Sequence, residues 1–280
     1  MSTRQLPEEL IREVLGYVFH RVRVSFDGWG FDMEQDWTTV QDLFALPPIE
    51  RPGVNASMLR VCKQWHRVGM PLLYESVVII ETLQLKTLAD TLIKRPEIGP
   101  MIKKLRLKRA FGKDLVTVLS LTPNIHTLAV SVHVPSRASV AGLRRALLKF
   151  RIAAKPTRLL VTPPQYLLHH RPNANTSHIV TSLIVLISTW PDLKRIDIGG
   201  DDTPNWFYRL LEEAKGLEYL GVSMEVAEYM LRFSRDKGEQ LIRQPGFKNI
   251  LCRAPQRVVD KMKEDYPGPI ADAILCEQSE

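Results

Sequence analysis

Histidines, cysteines and acids in this chain fall at spacings that invite three kinds of chemistry. His169 and His170 could ligate a metal, but adjacent side chains leave the backbone in different directions and make a poor pair. Cys62 stands beside Lys63 and four residues before His66. Nearby cations favour a thiolate, the form that attacks electrophiles or binds metal. The same cysteine lies on the apolar face of a helical pattern, where it behaves as a small buried hydrophobe. "RIDIGGDD" at 195–202 offers a glycine pair and two acids. It lacks the full G-x-G-x-x-G spacing and flanking strand–helix–strand unit that would seat a nucleotide. Asp201 and Asp202 suit the cap of a helix begun by "TPNWFYRLLEE" better than a metal site. No nucleophile is recognisably paired with a base. The chain therefore reads as non-catalytic, with no metal and no cofactor.

The elements that must position these residues are bounded first by composition. The chain has 280 residues, 45% hydrophobic and 25% charged, enough for a substantial core and against wholesale disorder. The most apolar run, "IVTSLIVLIS" at 179–188, is interrupted by Thr181, Ser182 and Ser188 and falls short of the roughly 18 residues of a membrane span. "MSTRQLPEEL" has no apolar segment of a secretory signal. Cys62, Cys252 and Cys276 lie far apart in the sequence and make no C-x-x-C pair. That argues against a disulfide framework and a zinc site and for a reducing compartment, cytoplasm or nucleus. Net charge is −2 over residues 1–80, +13 over 81–200 and −4 over 201–280. A basic middle attracts nucleic acid, anionic lipid or an acidic protein. Aromatic residues do not interleave the basic segments, and no helix–turn–helix or RNP pattern is visible, so nucleic acid is the weaker partner.

Local patterns divide the chain. Pro7 suits the first helical position and Glu8 and Glu9 the positive end of a helix. Leu6, Leu10, Ile11, Val14, Leu15, Val18 and Phe19 follow at helical spacing in a wide apolar stripe. Residues 22–56 mix aromatics, acids, glycines and prolines without period and read as an insertion, with a short helix near 37–46. A second helix starts at Ser57, carries Met58, Leu59, Val61, Cys62, Trp65 and Val68, and is ended by Gly69 and Pro71. "ESVVIIE" then reads as a buried strand.

From residue 90 a unit repeats: a helical stretch, a turn with Pro or Gly, then Φ-x-x-Φ-x-Φ. It occurs as "IKKLRL" at 102–107, "IHTLAV" at 125–130, "PTRLLV" at 156–161, "LKRIDI" at 193–198, "LEYLGV" at 217–222 and "FKNILC" at 247–252. The fourth positions are Leu105, Leu128, Leu159, Ile196, Leu220 and Ile250. They stand 23, 31, 37, 24 and 30 residues apart, and stacked strand–helix units of this kind are the pattern of degenerate leucine-rich repeats, whose regular unit is about 20–29 residues. An ordinary α/β domain with coincidental strand spacing is the alternative. The stretch at 161–176 reads as an insertion loop.

"LPEELIREVLGYVF" and "LRVCKQWHRVGMPLLYESVVI" together resemble the F-box of fungal-type F-box proteins, through Leu6, Pro7, Glu9, Leu10, Ile11, Val61, Cys62, Lys63 and Trp65. The resemblance implies an α/β chain in three parts. A helical F-box domain over 1–76 carries the 22–56 insertion, an irregular leucine-rich-repeat-like array covers 77–255, and a C-terminal helix and tail covers 256–280. It implies a non-catalytic substrate-recognition subunit of an SCF-type ubiquitin ligase, which binds the ligase adaptor and, through it, cullin. Leu6, Pro7, Leu10, Ile11, Val14, Leu59, Val61, Cys62 and Trp65 would form most of the adaptor face. The other reading is a basic nucleic-acid-binding or scaffold protein with no ligase role. Because side chains alternate along a strand, the positions between the Φ residues should line the second sheet face. There Lys104, Arg106, Lys108 and Arg158 would offer a basic run to an acidic or phosphorylated segment of an unknown target protein.

Overall fold

The computed structural model describes residues 6–27, 57–108, 113–132, 140–153, 156–162, 174–199 and 206–277. Its backbone is α/β. Eight parallel strands form one sheet in which spatial order follows chain order. They are β1 (Ser76–Ile79), β2 (Lys104–Leu107), β3 (Thr127–Ser131), β4 (Arg158–Thr162), β5 (Arg195–Ile198), β6 (Tyr219–Ser223), β7 (Asn249–Arg253) and β8 (Ile274–Cys276). Two helices, α1 (Glu8–Asp27) and α2 (Lys63–Tyr74), precede the sheet. Parallel strands need crossovers. These are supplied by α3 (Thr82–Lys94), α4 (Leu115–Leu121), α5 (Ala141–Ala153), α6 (Ala174–Ile187), α7 (Trp206–Glu213), α8 (Met224–Phe233), α9 (Arg235–Ile242), α10 (Gln256–Asp265) and α11 (Pro269–Ala273).

The expected fourth positions become neighbours. Val77, Leu105, Leu128, Leu159, Ile196, Leu220, Ile250 and Ile274 pair in register across all eight strands. From Leu105 to Ile274 each is fully buried. Each such aliphatic side chain contributes about 1.5–3 kcal/mol over its exposed state. The ladder joins the buried faces of the helices, from Leu85 of α3 to Val259 of α10, in one core that also takes in Ile11, Leu15 and Phe19 of α1. The helix-facing side of the sheet is thus one continuous apolar layer.

Four expectations change. The first helix continues to Asp27, through the opening residues of the 22–56 insertion; residues 28–56, including the short helix expected at 37–46, lie outside the described residues. The second helix is divided: a 3-10 turn over Met58–Arg60 is followed by an extended Cys62, and the α-helix begins only at Lys63. Gly69 and Pro71 do not end it; it runs to Tyr74. Gly69 serves close packing instead, since a Cβ there would lie 2.3 Å from Leu59 Cδ2 and 2.9 Å from Leu15 Cδ1. The loop expected over 161–176 is bounded by β4, which reaches Thr162, and by α6, which begins at Ala174. In the tail, residues 274–276 add a strand that the sequence pattern did not mark.

Candidate functional site

The N-terminal helix has two apolar stripes. Ile11, Leu15 and Phe19, at spacing i, i+4, i+8, are 0–2% exposed and face the core. Leu10, Val14 and Tyr17, continued by Leu6 just before the helix, point away from it and are 48–78% exposed. Of the nine residues expected on an adaptor face, seven are at least partly accessible: Leu6, Pro7, Leu10, Val14, Val61, Cys62 and Trp65. Ile11 and Leu59 are buried and belong to the core, which corrects their expected place on the contact surface. Ile11 lies on the inner stripe, and Leu59 fills the space beside Gly69. Trp65 is half-buried and packs on the core, bridging the two environments.

Val61, at the end of the 3-10 turn and just before the extended Cys62, is 61% exposed. The two segments are tied by Gln64 Nε2, which donates to the Leu6 carbonyl at 3.1 Å, and by an ion pair between Arg67 and Glu8. Leu6 and Pro7 are thereby held against the start of α2.

The second face of the sheet differs from the open basic surface expected there. Arg106 is only 4% exposed, in the same rung as Ala129, Leu160 and Asp197. Ala129 and Leu160 pack with Val78 in a small apolar cluster. Arg158 is committed, its Nε donating to Asp197 Oδ2 at 2.7 Å. Lys104 and Lys108 are half-buried. Neighbouring strands lie about 4.8 Å apart, within reach of long cationic side chains. Arg106 and Arg158 are therefore corrected from a free basic stripe to parts of a packed surface. Arg106, Lys108, Ser131 and Thr162 line a shallow dimple with room for about one water molecule.

Asp197, which sequence reasoning treated as one more strand residue, is the hub of that surface. Its carboxylate is fully buried and accepts from Arg158 of β4, from Arg195 Nη2 at 2.7 Å on β5, and from Arg253 Nη2 at 2.5 Å on β7. Glu277, just after β8, also accepts from Arg195 and from Arg253 Nε at 3.1 Å. Three guanidiniums and two carboxylates thus span five strand positions. Burial pushes the Asp197 carboxyl up, but Arg195 and Arg158 outweigh it and hold the group below its ordinary value. Arg253 reaches Asp197 across β6 because Gly221 has no side chain: a Cβ there would stand 2.0 Å from Asp197 Oδ1. The edge of the same region carries Glu218, which accepts from Lys194 and from Lys248 Nζ at 2.6 Å; the two hydrogen bonds bring its carboxyl down to about 2.

Among the described residues no helix is long and apolar enough to cross a membrane, and no group of three His, Cys, Asp or Glu side chains could hold a metal ion. His169, His170, Asp201 and Asp202 lie outside the described residues. No protein-family model matches this chain, and no curated protein matches it.

Proposed function

We propose that this chain is the substrate-recognition subunit of an SCF-type ubiquitin ligase, with an F-box over the α1–α2 segment and a leucine-rich-repeat-like array behind it. The observation that carries the reading is the second apolar stripe of α1. A helix whose core needs are met by Ile11, Leu15 and Phe19 has no internal use for Leu6, Leu10, Val14 and Tyr17. Contiguous exposed apolar surface of this kind marks an interaction site. Leu6 and Leu10, with Pro7 and Val61, are among the positions through which the sequence resembles an F-box, and the resemblance names the occupant: the ligase adaptor and, through it, cullin. The strand–helix array fits the other half of such a subunit, since its units follow one another in space as in sequence.

In this role the chain needs no active site. It holds a target close to the ubiquitin-charged enzyme and raises the effective concentration of its lysines. The target-binding surface is assigned to the second sheet face, with Lys104 and Lys108 at one end and the Asp197 cluster at the other.

Co-expression of the full chain with the adaptor tests the reading. A co-eluting complex of equal stoichiometry is expected. Separate elution of a folded chain and a folded adaptor overturns it.

A further inference from the structure

The three cysteines are far apart in sequence, yet two of them meet. Cys252 and Cys276 are register partners on adjacent parallel strands β7 and β8. They also lie on the same side of the sheet. Ile250 and Ile274, two residues earlier on each strand, are buried partners in the helix-facing ladder, and side chains two apart share a face. Cys252 is buried in that core and Cys276 is half-buried against it. Both are free thiols. Adjacent strands place paired Cα atoms about 4.7–4.9 Å apart, inside the roughly 4.4–6.8 Å span of disulfides.

We propose that Cys252 and Cys276 form a redox-active dithiol that a hydroperoxide closes to a disulfide, locking the last strand onto the sheet. The inference is independent of the ligase reading. Cys276 reacts first, because it is accessible while Cys252 is not. Its thiolate sulfur attacks the peroxide oxygen; the S–O bond forms, the O–O bond breaks, and the released oxyanion leaves as water or an alcohol after taking a proton. Cys252 is slow to react alone: burial first, then the neighbouring Cys276 and Glu225, push its thiol up to about 12. Opposite a sulfenic acid in direct register it becomes the resolving thiol. Its sulfur attacks Cys276 sulfur, the S–S bond forms, the S–O bond breaks, and hydroxide departs with the Cys252 proton as water. Two thiols have lost two electrons and two protons to one hydroperoxide.

The closed bond has a structural target. β8 is only three residues long and lies at the sheet edge. The next residue, Glu277, donates its N–H to the Cys252 carbonyl at 2.9 Å and gives its carboxylate to Arg195 and Arg253. In the thiol form Cys276 Sγ donates to the Ala254 carbonyl at 3.0 Å. Oxidation replaces that weak hydrogen bond by a covalent tie one residue before the Glu277 contact. The cross-link also restricts the unfolded chain over the loop that contains α10 and α11.

The test is treatment of the native full-length chain with hydrogen peroxide, followed by alkylation and mass mapping without reductant. The expected product is a linked Cys252–Cys276 peptide pair that does not include Cys62. Its thermal midpoint should stand about 5 °C or more above the reduced chain. Dithiothreitol should reverse the rise, and the Cys276→Ser variant should not show it. Three results overturn the proposal: Cys276 driven to sulfinic acid or joined to Cys62 while Cys252 alkylates, linkage that forms only in denaturant, or a linked product with an unchanged midpoint.

Discussion

Replacing Gly221 by alanine should be among the most damaging single-methyl additions on the sheet. The new Cβ would stand 2.0 Å from Asp197 Oδ1, 2.9 Å from its Cγ and 3.2 Å from Arg253 Nη2. Ordinary contact needs about 3.4–4 Å, so the carboxylate must move by more than an ångström. It has nowhere to go without loss: Oδ1 accepts from both Arg195 Nη2 and Arg253 Nη2, and the residue is fully buried. Hydrogen bonds to charged groups contribute about 1.5–3 kcal/mol each. Loss of one and distortion of the other puts the cost at about 2–4 kcal/mol, a large share of the roughly 5–15 kcal/mol that holds a typical domain together. Urea unfolding monitored by fluorescence measures it, with Gly16→Ala as comparison. Gly16 lies in α1, and a methyl group added there would meet nothing within 4 Å, so alanine should be neutral or stabilising by up to about 1 kcal/mol. A Gly221→Ala loss below about 0.5 kcal/mol would refute the claim that the Asp197 cluster is rigid and tightly packed.

Three further outcomes follow from the same geometry. Asp197 and Glu218 are both held below their ordinary values, so each contributes stability that is complete above the unfolded carboxyl range near 4 and is lost as pH falls through the folded value; melting midpoints should drop steeply between about pH 4.5 and 2, and less steeply in Asp197→Asn, which starts lower. Gly99→Ala should destabilise more than Gly69→Ala in the same urea assay, because the obstacle at Gly99 is the backbone oxygen of Leu121 at 1.9 Å, whereas at Gly69 it is the ends of the Leu59 and Leu15 side chains; the latter change should cost about 1–2 kcal/mol. Glu277→Gln should raise amide exchange across 274–277 without altering exchange in β2 to β4, since Glu277 ties only the last strand to Arg195 and Arg253.

The sheet was legible because its ladder is written at fixed offsets. Leu105, Leu128, Leu159, Ile196, Leu220 and Ile250 could be picked out by pattern and proved to be register partners. What escaped was everything that depends on which face meets what. Ile11 and Leu10 are equally apolar neighbours, yet one is core and the other surface. Gly69 and Pro71 are helix breakers by local propensity, but close packing against Leu59 and Leu15 overrode it. Asp197 draws its partners from residues 158, 195 and 253, a set that no local motif contains. A signal was present all the same. In stacked units, residues at equivalent positions of successive units become neighbours, so superposing the repeats would have set Asp197 beside Gly221; Cys276, beyond the last repeat that the pattern marked, stayed hidden.

We propose that the outer stripe of α1, with the turn before α2, docks the ligase adaptor. Calorimetric titration of the adaptor into the full chain tests it most directly, comparing wild type with Leu10→Glu and Val61→Glu. Both residues are about half exposed or more and neither belongs to the buried core, so both variants should unfold at the wild-type midpoint. Burying either charge in an apolar interface should cost at least ~2 kcal/mol, roughly a thirtyfold rise in Kd. Saturable one-to-one binding that weakens by that factor or more in each folded variant is the predicted result. Absence of binding by the folded wild-type chain, or equal affinity in all three proteins, would rule out docking of the adaptor on this stripe.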